Sequence, residues 1–96
     1  MKGNKYKYQI ILVLSPKTED KEKVLNKAYS WLESNKAEIS KKDHMGLKDL
    51  AYEIQKHNKG DFWVLDVESE ETLKIKEFNL LLDREINVIR YLILKV

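Results

Sequence analysis

Apolar and polar positions divide this chain into six segments whose period switches between two and three to four. Tyr8 to Leu14 is apolar, β-branched and aromatic, and it ends at Ser15-Pro16, so it predicts a strand. Tyr8, Ile10, Leu12 and Leu14 share one face of that strand, and Gln9, Ile11 and Val13 share the other. Both faces are largely apolar, which predicts a central strand and makes Ile11 and Val13 candidates for a partner surface. Thr18 to Ser34 predicts a helix: Thr18 is a good N-cap, and Glu19, Asp20 and Glu22 place negative charge in the first turn. Its buried stripe is Val24, Leu25, Ala28, Trp31 and Leu32, and Asn35 can close it in the left-handed conformation.

Glu38 to Lys56 predicts a long second strand, interrupted by Gly46 at a bulge or bend. His57-Asn58-Lys59-Gly60 reads as a turn with Gly60 at positive φ, and Phe62 to Val67 as the returning strand of a hairpin. Ser69 is placed to cap a second helix, whose apolar side is Leu73, Ile75, Phe78, Leu81 and Leu82 and whose end is Asp83-Arg84-Glu85. Ile86 to Val96 predicts the last strand. The order β-α-β-β-α-β predicts an α+β fold of the ferredoxin-like, split βαβ kind, a four-stranded antiparallel sheet with two helices on one face. In that topology the first and third strands are central and the second and fourth are edges.

Ninety-six residues suit one domain, 1–96, with a flexible basic N-terminus at 1–6. The absence of cysteine excludes disulfides and thiolate metal sites. The longest apolar run, Ile10 to Leu14, is far short of the roughly 20 residues a membrane span needs, and the expected setting is cytoplasmic. The formal net charge is only +2, but residues 1–17 carry +4 and residues 61–83 carry −5. Basic ends that meet in space would make one basic face on a nearly neutral chain.

Little here points to catalysis. His44 and His57 have no partner at metal-ligand spacing, the serines lie in no nucleophile motif, and Gly3, Gly46 and Gly60 are too isolated to cradle a phosphate. The expectation is no enzyme, no metal, no cofactor and no small-molecule substrate. Lys59-Gly60-Asp61-Phe62-Trp63-Val64 echoes the RNA-binding strand of an RRM, with Trp63 available to stack a base and Asp61 standing where the first stacking aromatic belongs.

The hairpin carries a more specific pattern. Gly46-Leu47-Lys48-Asp49-Leu50-Ala51-Tyr52-Glu53-Ile54-Gln55-Lys56, followed by Gly60 and Phe62, resembles the bacterial small-subunit ribosomal protein six family. The likeness extends from Tyr8, through a first strand ending near Pro16, to Asn87-Val88-Ile89-Arg90 and Lys95. It implies a non-catalytic protein that binds the central domain of small-subunit rRNA beside ribosomal protein eighteen. It further implies RNA-facing roles for Lys5, Lys7, Tyr8, Lys56, Arg90 and Lys95. The protein-partner interface would take in Gly46, Leu47, Leu50, Tyr52 and Trp63. Asp49 and Glu53 depart from the family pattern and lower the positive charge of the hairpin. Lys5, Lys7, Arg90 and Lys95 are expected to form one basic edge, since the terminal strands are neighbours in this topology. Two rival readings are a stand-alone RRM-like binder of single-stranded RNA and a ferredoxin-like sensing or oligomerisation module.

Overall fold

The structure, a computed structural model, describes residues 6–54 and 56–96. The elements run β1 (Tyr6–Leu14), α1 (Lys21–Ser34), β2 (Ala37–Ile54), β3 (His57–Ser69), α2 (Ile75–Arg84) and β4 (Val88–Lys95). The sheet order is β2-β3-β1-β4 with every pair antiparallel, so β1 and β3 are central as the hydrophobic pattern requires. Lys5 and the rest of the expected flexible N-terminus lie outside the described residues, except Tyr6, which already belongs to β1.

The core lies between the helices and one face of the sheet. Ile10, Leu12 and Leu14 of β1 and Leu65 and Val67 of β3 meet Val24, Leu25, Ala28 and Leu32 of α1 and Phe78 and Leu82 of α2. Burying side chains of this size contributes about 1.5–3 kcal/mol each before conformational entropy is subtracted. Trp31 stacks on Phe78 with ring centroids 4.6 Å apart, joining the two helices.

Three capping expectations differ from the structure. Asp20, not Thr18, is the N-cap of α1; its carboxylate accepts from the Lys23 amide at 3.1 Å. Thr18 is buried instead and donates its hydroxyl to the Ser15 carbonyl at 2.7 Å, closing the turn after β1. Asn35 keeps a negative φ, and Lys36 takes the left-handed conformation at φ 62°. Ser69 ends β3 and accepts from the Glu71 amide, while α2 starts six residues later at Ile75 with no side-chain cap. The buried Tyr8 hydroxyl accepts from the Leu73 amide in the connection between Ser69 and α2.

The hairpin turn also moves. It lies at Lys56, with φ 66°, and His57 to Gly60 already belong to β3. Among the described residues Gly46 is the positive-φ glycine, at φ 88°, beside the expected bulge at His44/Gly46. Gly60 is needed for space rather than for φ: a Cβ there would stand 2.3 Å from Val13 Cγ1. Beyond the pairing of Leu14 with Asp61, β1 is finished and the β2–β3 ribbon continues alone. That projecting arm, residues 48–54 and 56–60, is consistent with an overall envelope of 49 × 21 × 21 Å.

Candidate RNA and partner interface

The sheet pleat distributes the expected RNA-facing residues. Lys7 and Lys95 are exposed at one end of the β1–β4 edge, where Tyr8 is opposite Lys95 and the Val96 amide donates to the Lys7 carbonyl. Lys95 Nζ sits 5.0 Å over the Tyr6 ring. Arg90 is opposite Val13, five residues back along β4, about 16 Å away at strand rise. It is exposed and donates from Nη1 to the Tyr52 hydroxyl at 3.2 Å. Lys56 is exposed at the tip of the arm. Pleat parity puts Lys7 and Arg90 on the helix-free face and Lys95 on the helix face, so the described cations form a loose track over both faces from the chain ends toward the arm, not the compact basic patch expected from neighbouring termini. Tyr8 is not on it. At 3 % exposure it is part of the core, because the strand's alternation turns it toward the helices and the Leu73 amide occupies its hydroxyl.

The expected partner residues divide similarly. Leu47 and Tyr52 are 56 % and 64 % exposed, and Gly46 and Leu50 are half-buried, all on β2. Leu50, Val13 and Ile89 surround Gly60, so Val13 is covered by its own chain and only Ile11 of the two β1 candidates retains some exposure. On the helix-free face, Leu92 and Leu94 of β4 are exposed beside Ile11, which the register puts opposite Val64 and Leu92.

Trp63 lies on the other face. It is opposite Leu12 and His44, packs against the core, and stacks on the His44 ring at 4.0 Å and 10°. Its indole Nε1 donates to Asp61 Oδ2 at 2.9 Å. An RRM stacks bases on the open sheet face, so the echo in Lys59 to Val64 does not supply Trp63 for that use. Asp61 is not a bare negative charge either. It is 1 % exposed, Lys21 Nζ lies 3.0 Å from Oδ2, and His44 Nε2 lies 2.6 Å from Oδ1. Burial pushes its carboxyl up, but hydrogen bonds from His44, Lys21 and Trp63 and the charge of Lys21 outweigh that and leave it below the usual range. The His44–Asp61–Trp63–Lys21 cluster was not foreseen from the sequence. The available signal was an acid two residues from a tryptophan in a strand, on the same side of the pleat.

A split βαβ body with a long projecting hairpin, exposed apolar side chains on that hairpin and lysines leading toward it defines a class, a small component built to dock on other surfaces. Its relatives say which. The family described as Ribosomal protein S6 matches residues 7–95. Small ribosomal subunit protein bS6 of Shouchella clausii is 37 % identical over 91 residues, covering 93 % of this chain and 95 % of that one. The bS6 of Halalkalibacterium halodurans is 36 % identical over the same span and coverage, and that of Phytoplasma australiense is 34 % identical over 92 residues, 93 % of this chain and 97 % of that one. The crystal structure of 30S ribosomal protein S6 from Thermotoga maritima shares the fold, with a TM-score of 0.88 at 23 % identity over 97 % of this chain and 89 % of that one. The chain belongs to the ribosomal protein S6 family. It is accordingly a structural, non-enzymatic constituent of the small ribosomal subunit, a ribonucleoprotein component acting in translation.

Proposed function

We propose that this chain binds the central domain of small-subunit rRNA, in the cytoplasmic ribosome, as a pair with ribosomal protein eighteen. The observation that carries the reading is the track of exposed cations, Lys7 and Lys95 at one end, Arg90 in the middle and Lys56 at the arm tip. Phosphate contacts of this number give weak, salt-sensitive binding on their own. A partner seated on the same RNA and on the arm, through Leu47, Leu50 and Tyr52, raises the affinity by linkage. Met45 and Leu47 are exposed near each other on the edge strand β2 and fit the same partner surface.

The test is a titration of a central-domain rRNA fragment at two salt concentrations, with and without ribosomal protein eighteen. The expected result is weak binding alone and tight binding with the partner. Replacing Arg90 and Lys95 by Ala should reduce the salt slope by about 0.7–0.9 for each phosphate that is no longer neutralised. No binding under either condition, or an unchanged slope in the double variant, overturns the reading.

A further inference from the structure

We propose that Asp61 is a positioning residue that pins the projecting arm to the body of the protein, through His44 of β2, Lys21 of α1 and the Trp63 indole of its own strand. The location is what makes it a pin. Asp61 is the last β3 residue to pair with β1, opposite Leu14, and it is also opposite Leu47. One residue further on, at Gly60 and Lys48, the ribbon has only two strands. An isolated two-stranded ribbon is marginal in water and takes its direction from whatever holds its root.

Beyond the backbone pairing of Asp61 with Leu14, three side-chain polar ties among the described residues connect the arm and its root to the body. Two are slight: the exposed Arg90–Tyr52 hydrogen bond at 3.2 Å, and His57 Nε2 with Ser15 Oγ at 3.4 Å, near the limit of a hydrogen bond. The third is the Asp61 carboxylate, which is shielded from water and takes three donors from three elements at 2.6–3.0 Å. Bonds of that length to an ionised acceptor are about twice as strong as neutral ones. The His44 ring is held twice, by Asp61 at Nε2 and by the Trp63 face at 4.0 Å, which fixes β2 just before the bulge at Gly46. Lys21 then ties that root to the first residue of α1. The carboxylate therefore sets the angle between the arm and the helices. That this angle serves a partner rests on the reading above; that the angle is set by Asp61 does not.

The experiment is amide hydrogen exchange on the full chain, free of RNA and partner, for wild type, Asp61→Asn and His44→Phe. The phenylalanine keeps a ring to stack on Trp63 but cannot donate to Asp61, and it sits at a half-exposed position that tolerates it. Amides of residues 48–53 and 57–60 should exchange about tenfold faster in both variants, while in His44→Phe those of β1, β4 and α2 keep their protection. Unchanged arm exchange in His44→Phe overturns the proposal. Equal acceleration across arm and core in that variant also overturns it, since the cluster would then be a general stability element. Because nothing is bound in this experiment, its failure leaves the rRNA reading untouched. Failure of the rRNA titration likewise leaves the exchange result standing.

Discussion

Gly60→Ala tests whether the arm is seated by close packing at its root. The added methyl would stand 2.3 Å from Val13 Cγ1, 3.5 Å from Leu50 Cδ2 and 3.7 Å from Ile89 Cδ1. The last two are ordinary contacts; the first is more than 1 Å inside the 3.5–4.0 Å optimum for carbon pairs. Val13 has few ways to yield. It is β-branched, so its χ1 is stiff, and it lies on central strand β1 at 3 % exposure. Overpacking of this kind costs about 1–3 kcal/mol. With a urea m-value near the small-protein minimum of about 1 kcal/mol per M, the unfolding midpoint should fall by about 1–3 M. The double variant Gly60→Ala, Val13→Ala separates a clash from other costs. Removing the Val13 methyls makes room, so the double variant should be more stable than the sum of the single effects by at least about 1 kcal/mol. Additive effects, or a Gly60→Ala midpoint equal to wild type, would refute the steric account.

Tyr8→Phe should lower stability by about 1–3 kcal/mol, because the Leu73 amide loses its buried acceptor, and should leave rRNA affinity unchanged. Calorimetry together with the titration checks both, and a loss of affinity with unaltered Tm would return Tyr8 to the RNA surface. Asp61 has a depressed carboxyl in the folded protein, so its stabilisation is complete above the ordinary aspartate range, about 4, and is lost as pH falls through the lower folded value. The stability gap between wild type and Asp61→Asn, about 1–3 kcal/mol at pH 7, should hold down to about pH 5 and close on further acidification. A gap that widened in acid would contradict the sign.

The sheet was legible because its signals are redundant. Alternation in β1 and the i, i+4, i+7 stripe of α1 each point to one buried face, and the two faces then match in size. Ends were less legible because several residues compete for one role. Thr18, Glu19 and Asp20 can all cap α1, and only the turn made by Ser15 and Pro16 decides that Thr18 faces inward and Asp20 faces the helix. Gly60 shows a different limit. Its glycine was visible, but an open φ and a close neighbour give the same letter, and the neighbour, Val13, is 47 positions away. The placement of Trp63 followed from strand parity alone once β3 was known to run from His57, whereas its bond to Asp61 depends on side-chain directions that parity does not supply.

The sheet also orders the charges of this nearly neutral chain. The acidic stretch 61–83 includes β3, a central strand, and there one acid is held inside the fold: Asp61 is enclosed by Lys21, His44 and Trp63 and projects no bare charge. Asp66 and Glu68 lie on β3 opposite Gln9 and Lys7 of β1, Glu70 and Glu71 lie between β3 and α2, and Glu77 and Asp83 lie on α2, where Asp83 accepts from the Tyr91 hydroxyl of β4. The cations expected to meet RNA sit on an edge strand, on its neighbour's outer end and at a hairpin tip, positions where a long side chain stays in water. Topology thus separates the signs only in part: Asp61 is withdrawn into the fold, whereas Glu68 stands opposite Lys7. A net charge of +2 understates the local field, because exposed charges more than about 10 Å apart are largely screened from one another at ordinary salt. By that argument, adding a further acid beside Lys7, as in Gln9→Glu, should matter more to an RNA than removing any lysine of α1.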